Sequence, residues 1–126
     1  MVPAAPDDTK LDPAGLNASN PLTLQQQEAI VDTFNDLETG DYVASGRPMK
    51  IFYNFPSYAT GAQLPKDYTY VEFRVLDLSM DGPGAWRLVI GVSTIDDSLP
   101  FRIYFTNTHY NSFYRVILYP GGGTGS

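Results

Sequence analysis

The sequence predicts an all-β domain, an antiparallel β-barrel or sandwich with one short docked helix. Three observations lead there. Nine Tyr and seven Phe stand in a chain of 126 residues, and aromatic side chains suit the pleated, half-buried surface of a strand. Ten Pro and eleven Gly supply many turns, hence many short elements. Beyond Pro48, apolar residues recur with period two, the spacing that puts one set on each face of a strand.

Residues 1–21 do not carry that pattern. Pro3, Pro6, Pro13 and Pro21 interrupt a stretch rich in Ala, Asp and Asn, which reads as a linker or extended arm without a folded element of its own. Met1 is expected to stand before an excised piece of a longer protein. Residues 22–120 form the β domain. Residues 121–126, mostly Gly, form a flexible tail that is either native or a cloning remnant.

The helix is signalled at both ends. Thr23 is an N-cap and Gln26 completes a capping box. Ile30, Phe34 and Leu37 recur at helical spacing, with Leu24 and Val31 beside them. Gly40 stands where a left-handed C-cap is wanted, so the helix runs from about Leu24 to Glu38.

Five strands follow. The first alternates Met49, Ile51, Tyr53 and Phe55 with Lys50, Phe52 and Asn54, and Pro56 ends it. The second spans about Tyr68 to Leu78, with Val71, Phe73 and Val75 on one face and Tyr70, Glu72, Arg74 and Leu76 on the other. A turn at 80–84 contains Asp81-Gly82, a strong hairpin signal. The third strand, Ala85 to Ser93, sets Trp86, Leu88, Ile90 and Val92 on one face, which predicts a buried Trp86. The fourth alternates Phe101, Ile103 and Phe105 with Arg102 and Tyr104. The fifth carries Phe113, Arg115, Ile117 and Tyr119, and Pro120 closes it. Short connections after Leu78 predict antiparallel neighbours. The longest internal connection, Ser57 to Asp67, has the length to cross an end of the sheet.

Composition excludes several functions. A formal net charge of -6 and eight Lys and Arg scattered along the chain argue against nucleic-acid binding by this domain. No apolar run approaches the roughly 20 residues that span a bilayer, so membrane insertion is not expected. The start has neither the basic nor the apolar stretch of a signal peptide. Without Cys there is no disulfide, thiolate metal site or thiol nucleophile.

Catalytic chemistry is equally sparse, and the protein is expected not to be an enzyme. His109 is the single histidine, no Ser sits in a G-x-S-x-G elbow, and a zinc site needs more nitrogen or sulfur ligands than one. Asp96 and Asp97 read as a solvated turn. Calcium, which takes several loop oxygens, has weak candidates in Asp67, Asp96 and Asp97, with Asp81 beside them; no EF-hand spacing accompanies them. Asn17-Ala18-Ser19 matches a glycosylation sequon, read as chance. The aromatics are more informative. Most fall at strand spacing, but Tyr58 falls in the long connection and His109, Tyr110 and Phe113 fall around the last hairpin, where flat amphipathic rings serve recognition. Tyr58, Gln63, His109 and Tyr110 are therefore the candidate contacts for a partner, against the plainer reading that these loops merely close the ends of the sheet.

The order of these elements carries a resemblance. Arg47-Pro48-Met49-Lys50-Ile51-Phe52-Tyr53 opens a strand, and Tyr70-Val71-Glu72-Phe73 follows a variable loop. Then come Gly82-Pro83-Gly84-Ala85-Trp86, Ile103-Tyr104-Phe105 and finally Arg115-Val116-Ile117-Leu118-Tyr119-Pro120-Gly121. From Thr23 to Gly121 this resembles the protruding domain of nodavirus-like capsid proteins, especially those of fish nodaviruses and related nematode viruses. The resemblance implies a spike at the virion surface that self-associates as a dimer or trimer and attaches to a host-cell receptor, with the Pro-rich start as the linker from the capsid shell. It also implies calcium near the linker, although the loop Ser57 to Lys66 lacks the Asp-x-Asp pair of the fish viruses. The alternative function is a small lectin-like or other ligand-binding β module. Strands that are apolar on both faces, with Phe52 opposing Ile51 and Tyr53, independently call for cover by another copy.

Overall fold

The computed structural model describes residues 7–11, 18–76 and 84–118. Its elements are β1 (Asp7–Leu11), α1 (Leu24–Thr39), α2 (Asp41–Ala44), β2 (Met49–Phe52), β3 (Tyr68–Arg74), β4 (Arg87–Ser93), β5 (Arg102–Thr106) and β6 (Tyr114–Leu118). All six strands form one sheet in the order β1-β6-β5-β4-β3-β2. From β2 to β6 every pairing is antiparallel between sequence neighbours, as short connections require.

The all-β class with a docked helix holds, but the sheet does not close into a barrel. Its two edges are β1 and β2, and no second sheet stands among the described residues. Closure is not needed to bury both faces, because a helix covers one and a loop the other. Residues 80–83 of the predicted turn, Asp81 among them, lie outside the described residues, as do residues 1–6, 12–17, 77–79 and 119–126.

One expectation is corrected. The stretch 1–21 was expected to hold no folded element, yet Asp7–Leu11 is the edge strand β1, paired parallel to β6 with Thr9 beside Val116. Leu11 is fully buried in the core. Asp-Asp-Thr-Lys-Leu has no apolar alternation, so its strand character comes from the backbone partners that β6 offers rather than from its own side chains.

Helix α1 keeps its predicted limits because its caps work. The Thr23 hydroxyl accepts from the Gln26 amide at 3.1 Å, and the Gln26 side chain accepts from the Thr23 amide at 3.2 Å. Gly40 ends it at φ 84°, the left-handed region glycine enters at least cost. Fully buried Ile30 and partly buried Phe34 and Leu37 face the sheet, where they meet Phe73, Leu88, Ile103, Phe105 and Val116. Trp86 joins this core, edge-on to Phe105 at 6.2 Å, and Phe34 stacks on Phe101 at 6.4 Å.

The short α2, too brief for periodicity to reveal, places Tyr42. Its ring is fully buried, edge-on to Phe73 at 5.5 Å. Its hydroxyl donates to the Pro48 carbonyl and accepts from the Arg74 amide at 2.8 Å. One phenol thus ties the helical layer to the entry of β2 and the end of β3.

The opposite face holds a second core of Leu64, Tyr70, Val89, Tyr104 and Phe113, with Phe52, Tyr68 and Tyr110 against it. The Ser57 to Asp67 connection covers it rather than crossing an end of the sheet. Asn54 organises that cover. Its side chain accepts from the Leu64 amide at 2.8 Å and donates to the Leu64 carbonyl at 2.9 Å, an arrangement that imitates strand pairing.

Candidate functional site

On this loop-covered face, two connections meet. The Ser57 hydroxyl donates to the Asn111 side-chain oxygen at 2.7 Å, and the Thr60 hydroxyl to the Asn111 carbonyl at 2.6 Å. The loop after β2 is thereby fastened to the β5–β6 turn. Thr106 and Thr108 brace that turn from within: their hydroxyls accept from the amides of Tyr110 at 3.0 Å and Ser112 at 2.8 Å. The bracing matters because His109 and Tyr110 stand at φ 54° and 75°, a left-handed backbone that costs a bulky residue on the order of 1–3 kcal/mol.

The strained pair forms the wall between two adjoining clefts. The first, about 340 Å³, runs from Ile51 to Tyr58 and ends on His109, Tyr110 and Asn111. Tyr58 and His109 are exposed there, and Tyr53 and Phe55 stack at 6.2 Å. The second, about 260 Å³, lies over the strands and is lined by Pro48, Lys50, Glu72, Arg74, Arg87, His109 and Tyr110.

Tyr110 is half-buried between the clefts. It stacks on Phe52 at 5.2 Å and donates its hydroxyl to Glu72 Oε1 at 2.8 Å. Burial, and then that bond to a carboxylate, push its ionisation well above the ordinary tyrosine value, so it remains a neutral donor. Tyr70 behind it is raised in the same direction by burial and by neighbouring Tyr104.

Three of the four residues proposed from sequence, Tyr58, His109 and Tyr110, thus line one cleft. Gln63 does not: its amide donates to the Asn54 carbonyl at 2.9 Å and serves the loop's own fold. The acidic candidates do not converge either. Asp67 offers its backbone carbonyl to Thr94, while the Asp96 carboxylate accepts from the Ser98 amide at 3.0 Å and hydroxyl at 2.6 Å, bonds that lower its ionisation. Among the described residues no three His, Cys, Asp or Glu side chains gather as metal ligands, and no helix is long and apolar enough to cross a membrane.

Sequence reasoning missed the cations. Lys50, Arg74 and Arg87 lie 37 residues apart from first to last along the chain, and only strand register brings them together. Arg74 stands directly opposite Arg87, and Lys50 opposite Glu72. Their alternation on three strands was the available signal.

The helix-covered face bears a different feature. Along the free edge, Met49 is 56% exposed, Ile51 57%, Tyr53 70% and Phe55 77%. The first two share that face with Phe73 and Val71 of the neighbouring strand, but the helix does not reach them. No protein-family model matches the chain, and no curated protein matches it.

Proposed function

We propose that this domain binds rather than catalyses: it joins copies of itself through the β2 edge and presents the groove of the loop-covered face to a partner, as a spike at a virion surface attaching to a host cell. The observation that carries the reading is the exposed apolar band of Met49 and Ile51 on the edge strand β2 and of Tyr53 and Phe55 in the segment that follows it. Such an edge is a ready template for another strand, and burying an aliphatic side chain of this kind contributes roughly 1.5–3 kcal/mol.

A two-fold axis through Ile51 satisfies the geometry. It pairs Ile51 with its own copy, Met49 with Tyr53 and Lys50 with Phe52. Residues of equal parity meet, so each face of one sheet continues the same face of the other. The apolar band then becomes a buried strip, the cleft lined by Glu72, Arg74 and Arg87 stays on the opposite face of each copy, and the larger cleft, which Ile51, Tyr53 and Phe55 line, borders the contact. Capsid attachment and the virion surface rest on the resemblance in sequence order. The lectin-like alternative is favoured by the aromatic groove, which remains open in either reading.

Sedimentation equilibrium of the chain and of Ile51→Lys tests the association. The reading predicts a monomer–dimer equilibrium for the chain and a monomer for the variant, with equal melting temperatures for the monomers. Monomeric mass for the parent chain at millimolar concentration contradicts it.

A further inference from the structure

The cleft over the strands holds three of the chain's eight Lys and Arg side chains, Lys50, Arg74 and Arg87, in a protein of formal net charge -6. Arg74 and Arg87 are direct cross-strand neighbours, a placement in which like charges oppose folding. Neither forms an ion pair among the described residues, where the one such pair is Arg47 with Asp36. Arg87 is 9% exposed and donates to the carbonyls of Trp86 at 2.8 Å and Gly84 at 3.1 Å, which orient the guanidinium without neutralising it. The Nε of Arg74 is buried and has no hydrogen-bond partner among the described residues; a buried charged donor in that state costs free energy until an acceptor arrives. The single carboxylate in the cleft, Glu72, faces Lys50 across the strands and accepts from Tyr110. With Glu72 and Lys50 offsetting each other, two guanidinium charges remain among the described residues.

We propose that this cleft is a binding site for a doubly charged tetrahedral oxyanion of the phosphate class, free or as a monoester on a larger ligand. Guanidinium forks match the oxygen spacing of such a group and hold it by paired, charge-assisted bonds. A phosphate monoester carries about -1.5 to -2 charges at neutral pH, which matches the two guanidinium groups without an ion pair among the described residues. The cleft is several times the roughly 30 Å³ that a water occupies in the liquid, room for one oxyanion with part of its carrier. A single site of this size inside an acidic molecule does not suit a polyphosphate backbone, which wants an extended track of cations. The site rests on the binding reading above for its role as a recognition surface, but not on self-association.

Calorimetric titration and thermal melting at fixed ionic strength test the site, with inorganic phosphate, phosphoserine, acetate and chloride as probes. The same titrations on Ile51→Lys separate anion binding from failure of the β2 contact. Saturable binding of phosphate and phosphoserine is expected, at least tenfold tighter than acetate, with no saturation by chloride. Phosphoserine exceeding inorganic phosphate identifies a monoester on a carrier as the ligand; equality identifies the free anion. Arg74→Gln and Lys50→Gln should each weaken phosphate at least tenfold, while Lys66→Gln, exposed and outside the cleft, leaves it unchanged. Without phosphate, Arg74→Gln should melt no lower than the parent chain, because it removes one of two opposed like charges. Equal response to every anion, or equal weakening by Lys66→Gln, overturns the proposal.

Discussion

Gly91 shows how tightly one residue binds the loop-covered face to its sequence. It is the cross-strand partner of Tyr70, and a Cβ there would stand 2.4 Å from Cε1 of the Tyr70 ring. That ring cannot swing away, being packed by Phe52, Tyr68 and Tyr104 at centroid distances of 6.0–6.2 Å. Gly91→Ala is expected to cost about 1–3 kcal/mol by overpacking, measured as a fall in the urea midpoint; an unchanged midpoint contradicts the packing. The loop aromatics divide at the same scale. Tyr58 is fully exposed, so Tyr58→Ala should leave the midpoint within about 0.5 kcal/mol of the parent. Tyr110 supports Phe52 and Glu72, and Tyr110→Ala is expected to lose about 2–4 kcal/mol in the same assay. From sequence the two rings look alike. What separates them is a partner 38 residues away in the chain, and nothing local to Tyr110 announces it.

Among the elements, those with local chemistry were the legible ones. Thr23, Gln26 and Gly40 carry the limits of α1 in their own side chains and backbone, and period-two alternation located β2 to β6. Elements made by distant partners were hidden. β1 exists because β6 offers a backbone ladder, and α2 because Tyr42 finds Pro48 and Arg74. The cationic cleft belongs to the same class, since register rather than spacing assembles it. If β1 is an integral strand, Leu11→Ala should destabilise the domain by about 2–5 kcal/mol, the cost of emptying a buried leucine site. A change below about 0.5 kcal/mol in chemical unfolding would return residues 7–11 to the role of an arm.

For the whole molecule, burial of phenols sets the response to alkali. Tyr70 and Tyr110 ionise well above the ordinary tyrosine value in the folded chain. Raised folded-state values mean that the native protein keeps protons the unfolded chain releases. Their contribution is complete below the unfolded value of about 10 and is lost as pH rises beyond it. Unfolding free energy should therefore fall above about pH 10, and Tyr110→Phe should make that fall shallower; an identical slope in both proteins removes Tyr110 from the account. The open sheet has its own consequence at this scale. A barrel would have hidden both edges, whereas here β2 keeps an unpaired ladder flanked by exposed Met49, Ile51 and Tyr53. Backbone hydrogen exchange across a concentration series tests the proposed contact most directly. Amides in 49–53 are expected to gain protection as concentration rises, in step with the dimer fraction, while those of β4 stay constant. Exchange in 49–53 that is independent of concentration while the mass doubles would place the interface elsewhere and contradict it.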